Sequence, residues 1–180
     1  MTLLVGSITT RRNLTIVLVD AVIWVVWSVA SGYIAHRLPL ARLQRDQGLL
    51  RLRSWERRFY ARVLLIKRWK DHLPEGGDIF PGGYNKSHLR GRDPAALTRF
   101  AAETRRAEIT HWLIMAAGPI FLLWNPWFLG LLMLAYAVIA NLPCLIVQRY
   151  NRTRLLRLIP PSAVPAVDLP ATDGTVVDRQ

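Results

Sequence analysis

The chain alternates between long uncharged runs and segments dense in arginine, with abrupt borders. Residues 14–34 hold a single charge, Asp20, and residues 109–147 hold no Lys, Arg, Asp or Glu, with Asn125-Pro126 near their middle. Such runs read as membrane helices, because hydrocarbon offers a backbone amide no partner and a helix satisfies its own. The first predicts a transmembrane helix about 30 Å long at about 1.5 Å per residue. The second predicts a hairpin whose first arm, residues 109–124, reaches only about 24 Å, so that it is re-entrant or begins below the interface near Glu103. A cleaved secretory signal is the rival reading of the N-terminal run, since Arg11-Arg12 precede it and Ser28-Val29-Ala30 resembles a cleavage site.

Between these runs the period changes. Leu52, Trp55, Phe59, Val63, Ile66 and Trp69 recur at steps of three and four with arginines and lysines between them. This predicts an amphipathic helix in the membrane interface, its cations available to anionic lipid, or a helix packed on its own protein with solvated arginines. Leu73-Pro74-Glu75-Gly76-Gly77-Asp78-Ile79-Phe80-Pro81-Gly82-Gly83-Tyr84-Asn85-Lys86 is too rich in glycine and proline for a helix and predicts a shaped loop. It is either a double turn or a place where amides approach a ligand beside Lys86. Asp93 is placed as an N-cap with Pro94 in the first turn, starting a helix that passes Arg106 towards the membrane. Pro143, after Asn141, interrupts the last apolar helix. Residues 161–180 lack periodicity and read as a flexible tail beyond a single domain, 1–160.

Composition narrows the class. The 180 residues are 52% hydrophobic, yet 24 Lys and Arg stand against 12 Asp and Glu. A soluble nucleic-acid binder has no need of two long uncharged runs, and no nucleic acid is expected as a partner. Residues 37–108 carry 17 of the basic residues, so the positive-inside rule puts the central segment and the C-terminus in the cytoplasm of a multi-pass protein of the cell membrane. Cys144 alone supports neither a disulfide nor a cysteine metal site. The fold class is mainly α, with about three transmembrane or re-entrant helices.

Chemistry concentrates at the edge of the hairpin, in Glu103-Thr104-Arg105-Arg106-Ala107-Glu108-Ile109-Thr110-His111-Trp112. At about 100° per residue Glu108 and His111 share a stripe, with Glu103 beside it. A carboxylate can orient the imidazole while its other nitrogen takes a proton from a hydroxyl. Acyl transfer to an alcohol needs that step and donors for the oxyanion. Spacing alone favours helix-surface pairs of Glu103 and Glu108 with Arg99, Arg105 or Arg106, with His111 and Trp112 in an aromatic belt. Glu-x-x-His also supplies ligands in di-metal bundles, but those use the motif twice and here it occurs once.

The strings Ile66-Lys67-Arg68-Trp69-Lys70-Asp71-His72-Leu73-Pro74-Glu75-Gly76-Gly77, Glu103 to Trp112, Trp124-Asn125-Pro126, and Ala140-Asn141-Leu142-Pro143-Cys144 running into Gln148-Arg149-Tyr150-Asn151-Arg152, in this order, resemble the glycosyl-4,4'-diaponeurosporenoate acyltransferase family. The resemblance implies a small bacterial membrane enzyme of carotenoid biosynthesis that esterifies the sugar of a glycosylated polyprenoid or related glycolipid with a fatty acyl chain. On this reading His111 is the general base, oriented by Glu108 or Glu103. Gly76, Gly77, Lys86 and Asn141 shape the substrate site, and Arg106, Arg149 and Asn151 hold an anionic acyl donor such as acyl-CoA, or a lipid headgroup. The mechanism requires neither cofactor nor metal. A noncatalytic lipid-binding or assembly protein and a metal-dependent membrane hydrolase are the alternatives.

Overall fold

A computed structural model describes residues 2–73 and 93–160. Gly76, Gly77 and Lys86, and the tail 161–180, lie outside the described residues. The α-helices among them are α1 (Thr2–Arg37), α2 (Glu56–Arg62), α3 (Pro94–Ala116) and α4 (Trp127–Leu155), joined by short 3-10 turns. Helix α3 pairs lengthwise with α4, and α1 lies against α3.

Helix α3 starts as its sequence expects, with the Asp93 carboxylate accepting from the Ala96 N–H at 2.7 Å and Pro94 in the first turn. One otherwise orphaned amide is thereby satisfied. It stops at Ala116 because Pro119 has no N–H to give the preceding turn. The chain continues as a 3-10 helix, Gly118–Leu123, and the Asn125 carboxamide closes the bend by donating to the Phe121 carbonyl at 3.0 Å. The first arm of the hairpin is thus α-helical only to Ala116, whereas the second is the single helix α4.

Two helices are long and apolar enough to cross a membrane, Asn13–Arg37 and Trp127–Leu155. Only 17% and 22% of their most apolar windows are buried inside the protein. The core helix of a soluble protein would hide most of that surface. Val22, Val25, Val26 and Val29 of α1, and Leu131, Leu132 and Ile139 of α4, are all exposed. Between them the helices bury a compact cluster of Trp24, Ile114, Ala117, Phe121 and Ala137. Trp27 Nε1 donates across the helix pair to the Leu113 carbonyl at 3.0 Å.

The segment with helical apolar spacing differs from its expectation. Instead of one interfacial helix through Trp69, α2 has seven residues and the backbone turns left-handed at Leu65 (φ 47°). That conformation costs a non-glycine residue roughly 1–2 kcal/mol. It is offset by fully burying Ile66 among Tyr60, Tyr150, Ile146 and Val147, and by a Trp69 Nε1 bond to the Leu64 carbonyl at 2.8 Å. Tertiary packing takes Ile66 from the stripe and leaves Trp55, Phe59 and Val63 outside.

The hairpin closes on two glycines. A Cβ at Gly130 would stand 2.6 Å from Leu122 Cδ2 and 3.2 Å from its Cα, and one at Gly118 would stand 2.9 Å from Ala137 Cβ. Replacing Gly130 with valine is therefore expected to cost about 1–3 kcal/mol. Thermal unfolding in detergent should show a lower midpoint for Gly130→Val than for Ile139→Leu at an exposed position of α4. Equal midpoints would mean that the arms do not pack through this glycine.

Candidate functional site

Where the apolar surfaces of α1 and α4 end, charged side chains are buried together. Arg149 of α4 lies at the centre, and each of its five N–H donors has an acceptor. Nε donates to Glu56 Oε2 at 2.8 Å and Nη2 to Glu56 Oε1 at 2.6 Å, a bidentate fork. The remaining donors reach the Leu49 carbonyl and the Arg51 carbonyl, both at 2.8 Å, and Glu108 Oε1. Arg152, three residues on, places Nη1 2.7 Å from Glu108 Oε2 and Nε 3.1 Å from Asp46 Oδ1. These Arg152 contacts are charge contacts without hydrogen-bond geometry. Its Nη2 donates to the Leu50 carbonyl at 2.7 Å. Arg105 of α3 completes the layer, with Nε 2.5 Å from Asp46 and Nη1 donating to the Leu43 carbonyl at 3.0 Å. Glu108 and Arg152 are entirely buried.

The electrostatics of α2 follow from this fork. Burial by itself would push the Glu56 carboxyl up, but the hydrogen bonds and charge of Arg149, joined by the Tyr60 hydroxyl and the Arg53 N–H, hold it below the ordinary value of 4.5. The Tyr60 phenol, 2.9 Å from Glu56 Oε2, is pushed up to about 12 by burial and then by the Glu56 charge. It therefore serves as a neutral donor to the carboxylate.

One turn from Glu108 along α3, His111 Nδ1 lies 2.9 Å from Asn141 Oδ1 of α4. Asn141 Nδ2 donates to the Ala137 carbonyl at 2.9 Å, which fixes the amide with its oxygen towards the ring. An oxygen acceptor at Nδ1 requires the proton there and leaves the imidazole lone pair on Nε2. Asn141 is buried and His111 half-buried.

The structure thus joins His111 with Asn141 and gives the other sequence candidates different neighbours. Nδ1 meets a carboxamide where a carboxylate was expected. Glu108 Oε1 faces Arg149 and, at 3.4 Å, the Trp112 indole N–H, while Glu103 Oε2 accepts from Arg106 Nε at 2.9 Å. Arg149, expected to hold the donor's anionic group, has every N–H engaged within the protein. Arg106, read in the same role, donates from Nη1 to the carbonyls of Ala35, His36 and Leu38 at 2.6, 2.6 and 3.0 Å and so caps the end of α1. Asn151 is half-buried on α4. Among the described residues no three His, Cys, Asp or Glu side chains are grouped to hold a metal.

Sequence reasoning missed Glu56, Asp46 and Arg152. The available signal was that Glu56 is the lone acid among residues 47–70, four residues before Tyr60. A lone acid on a strongly basic segment is a candidate for inward pairing, and Arg149 and Arg152 share a helix face with the spacing to receive it.

A family model described as Glycosyl-4,4'-diaponeurosporenoate acyltransferase matches residues 39–160, a range that includes the ionic layer and the His111–Asn141 pair. A protein of that name from Staphylococcus haemolyticus (strain JCSC1435) is 29% identical over 140 residues, covering 77% of this chain and 81% of its own. Its namesake from Staphylococcus aureus (strain USA300) is 27% identical over 138 residues, covering 76% and 83%. No solved structure matches.

Removing one member of a buried pair leaves its partner uncompensated, at about 3–5 kcal/mol. Glu56→Gln is expected to lose roughly that much stability at pH 7. Because folding lowers the Glu56 value, its contribution is complete above 4.5 and is lost as pH falls through the folded value. Detergent-solubilised wild type should therefore lose stability below that pH more steeply than Glu56→Gln. Superimposable acid limbs would show that this carboxylate does not couple folding to protons.

Proposed function

This chain belongs to the glycosyl-4,4'-diaponeurosporenoate acyltransferase family, and on that footing we propose that it is a membrane O-acyltransferase that esterifies a sugar hydroxyl of a glycosylated polyprenoid or carotenoid with a fatty acyl chain. Its relatives carry the name of that acyl transfer, and the two apolar helices suit an acceptor and a donor that both bear long hydrocarbon chains. The observation that carries the reading to a residue is the His111 Nδ1 contact with Asn141 Oδ1, which puts the basic lone pair on Nε2.

In the reaction His111 Nε2 takes the proton of the acceptor hydroxyl as its oxygen attacks the acyl carbonyl. A tetrahedral oxyanion forms and collapses, the new C–O ester bond is kept and the bond to the leaving group breaks. With an acyl-CoA donor, the departing thiolate recovers the proton from Nε2. Asn141 holds the tautomer in place of the expected carboxylate and accepts the Nδ1–H throughout, steadying the imidazolium by a dipole. Glu108 acts at one remove, setting the rotation of α3 through Arg149 and Arg152. Gly76, Gly77 and Lys86 are retained as candidates for shaping the substrate site.

The protein sits in the cell membrane as a multi-pass chain, α1 crossing once and the hairpin of α3 and α4 entering from and returning to the cytoplasmic side. This topology rests on the concentration of 17 Lys and Arg in residues 37–108. The ionic layer then lies at the cytoplasmic surface, with His111 and Asn141 about one to two turns deeper.

The test is lipid mass spectrometry of cells supplied with a glycosylated polyprenoid acceptor and expressing wild type, His111→Ala or Asn141→Ala at matched membrane levels. A glycolipid heavier by one fatty acyl group is expected with wild type, roughly a hundredfold or more less of it with His111→Ala, and an intermediate yield with Asn141→Ala. Undiminished product with His111→Ala would remove the base assignment. No acylated product from any version would remove acyl transfer to this acceptor and favour a lipid-binding role.

A further inference from the structure

The interruption of the apolar stripe at Leu65 leaves a smaller surface whose placement was not evident in the period. With α2 flanked by helical backbone at both caps, about 100° per residue puts Trp55, Phe59 and Val63 on one arc of roughly 80°. Arg58 and Arg62 border that arc on the side away from the inward Glu56 and Tyr60. Trp55, Phe59 and Val63 are exposed, as are Leu65 and Leu49. Trp55 and Phe59 meet edge to face at 5.6 Å, so the arc is a preformed aromatic wedge. Arg58, Arg62, Lys67 and Arg68 are exposed and form no ion pair with a described residue.

The position of this wedge relative to the candidate span is fixed from behind. Tyr60 packs with Ile146, Val147 and Tyr150, and Glu56 forks onto Arg149, so α2 is held against α4 where its apolar surface gives way to charge. A bilayer crossed by α4 ends at that level. Aromatic rings beside arginines suit the headgroup boundary, where rings enter the acyl edge and guanidinium groups meet phosphate. Glu56, the sole acid among residues 47–70, is already committed to Arg149, so the outward charge of that stretch is wholly positive.

We propose that Trp55, Phe59, Val63 and Leu65 insert into the leaflet at the end of α4 and that Arg58, Arg62, Lys67 and Arg68 select anionic phospholipid headgroups there. The surface is a lipid-docking site separate from the His111–Asn141 pair, and it does not rest on the acyl-transfer reading. By holding α2 against the bilayer, it also steadies the Glu56 end of the ionic layer.

The experiment places the full chain in nanodiscs of equal phosphatidylglycerol and phosphatidylcholine, with either lipid brominated on its acyl chains. Trp55 is one of seven tryptophans, so its signal is the difference between wild type and Trp55→Phe. Trp55 emission is expected to be quenched, and roughly twofold or more strongly by brominated phosphatidylglycerol than by its zwitterionic counterpart. The excess should vanish in Arg58→Gln/Arg62→Gln and shrink in high salt. Absence of quenching by either lipid would overturn insertion and leave the wedge to a protein partner or to solvent. Equal quenching by both lipids, unchanged by salt, would overturn anionic selection.

Discussion

The fold depends on satisfying buried charge where the apolar surfaces of α1 and α4 give way to polar ones. Asp46, Glu56 and Glu108 balance Arg105, Arg149 and Arg152, and the six come from segments far apart in sequence. Desolvating such groups singly costs several kcal/mol per ion, so none can be buried until its partners arrive. The arginines also serve the irregular stretch between α1 and α2, whose carbonyls at Leu43, Leu49, Leu50 and Arg51 accept from guanidinium groups. In place of strand or helix partners, that stretch receives side-chain donors, as a buried backbone must.

This arrangement bears directly on His111. Glu108 and His111 lie one turn apart on α3, and Glu108 is gripped by two arginines of α4. The rotation of α3 relative to α4 is therefore set at the charged layer and transmitted through rigid helix to the point where His111 meets Asn141. Glycines at 118 and 130 allow the close approach that holds the two arms together towards the far end. Sequence spacing put a carboxylate and an imidazole on one stripe, but a shared stripe does not decide which groups face each other across a helix pair. The carboxylate turned to cations, and the imidazole to an amide.

Several parts of the structure were legible in the sequence because they are local. The Asp93 cap with Pro94, the bend at Asn125-Pro126 and the two long apolar helices follow from backbone chemistry within a few residues. The break at Leu65 was not legible, because helical periodicity continues through it and only the burial of Ile66 against Tyr150 reveals the gain. The partners of Arg149 and Arg106 were not legible for a related reason: an arginine in a basic segment looks the same in sequence whether it faces solvent or, as Arg149 does, already holds five acceptors. The interruption expected at Asn141 and Pro143 does not occur, since α4 runs unbroken through both, and the partner of Asn141 depended on the register of α3 against α4. The resemblance, by contrast, was readable from separated strings of local sequence and needed no contact at all.

Helix α1 is attached at its C-terminal end and near its middle by unlike devices. At the end Arg106 gathers the carbonyls of Ala35, His36 and Leu38, and near the middle Asp20 Oδ1 accepts from the Trp124 indole at 2.9 Å. About 17 residues of helix, or roughly 25 Å, separate them. A rod pinned twice can neither slide nor spin, so α1 acts as a ruler that holds the hairpin bend at a set distance from the charged layer. One residue inserted between the pins would turn Asp20 by about 100° and shift it by about 1.5 Å, out of reach of Trp124 while Arg106 kept its grip. The length of α1 between its attachments is thus information in itself, whatever apolar side chains fill it.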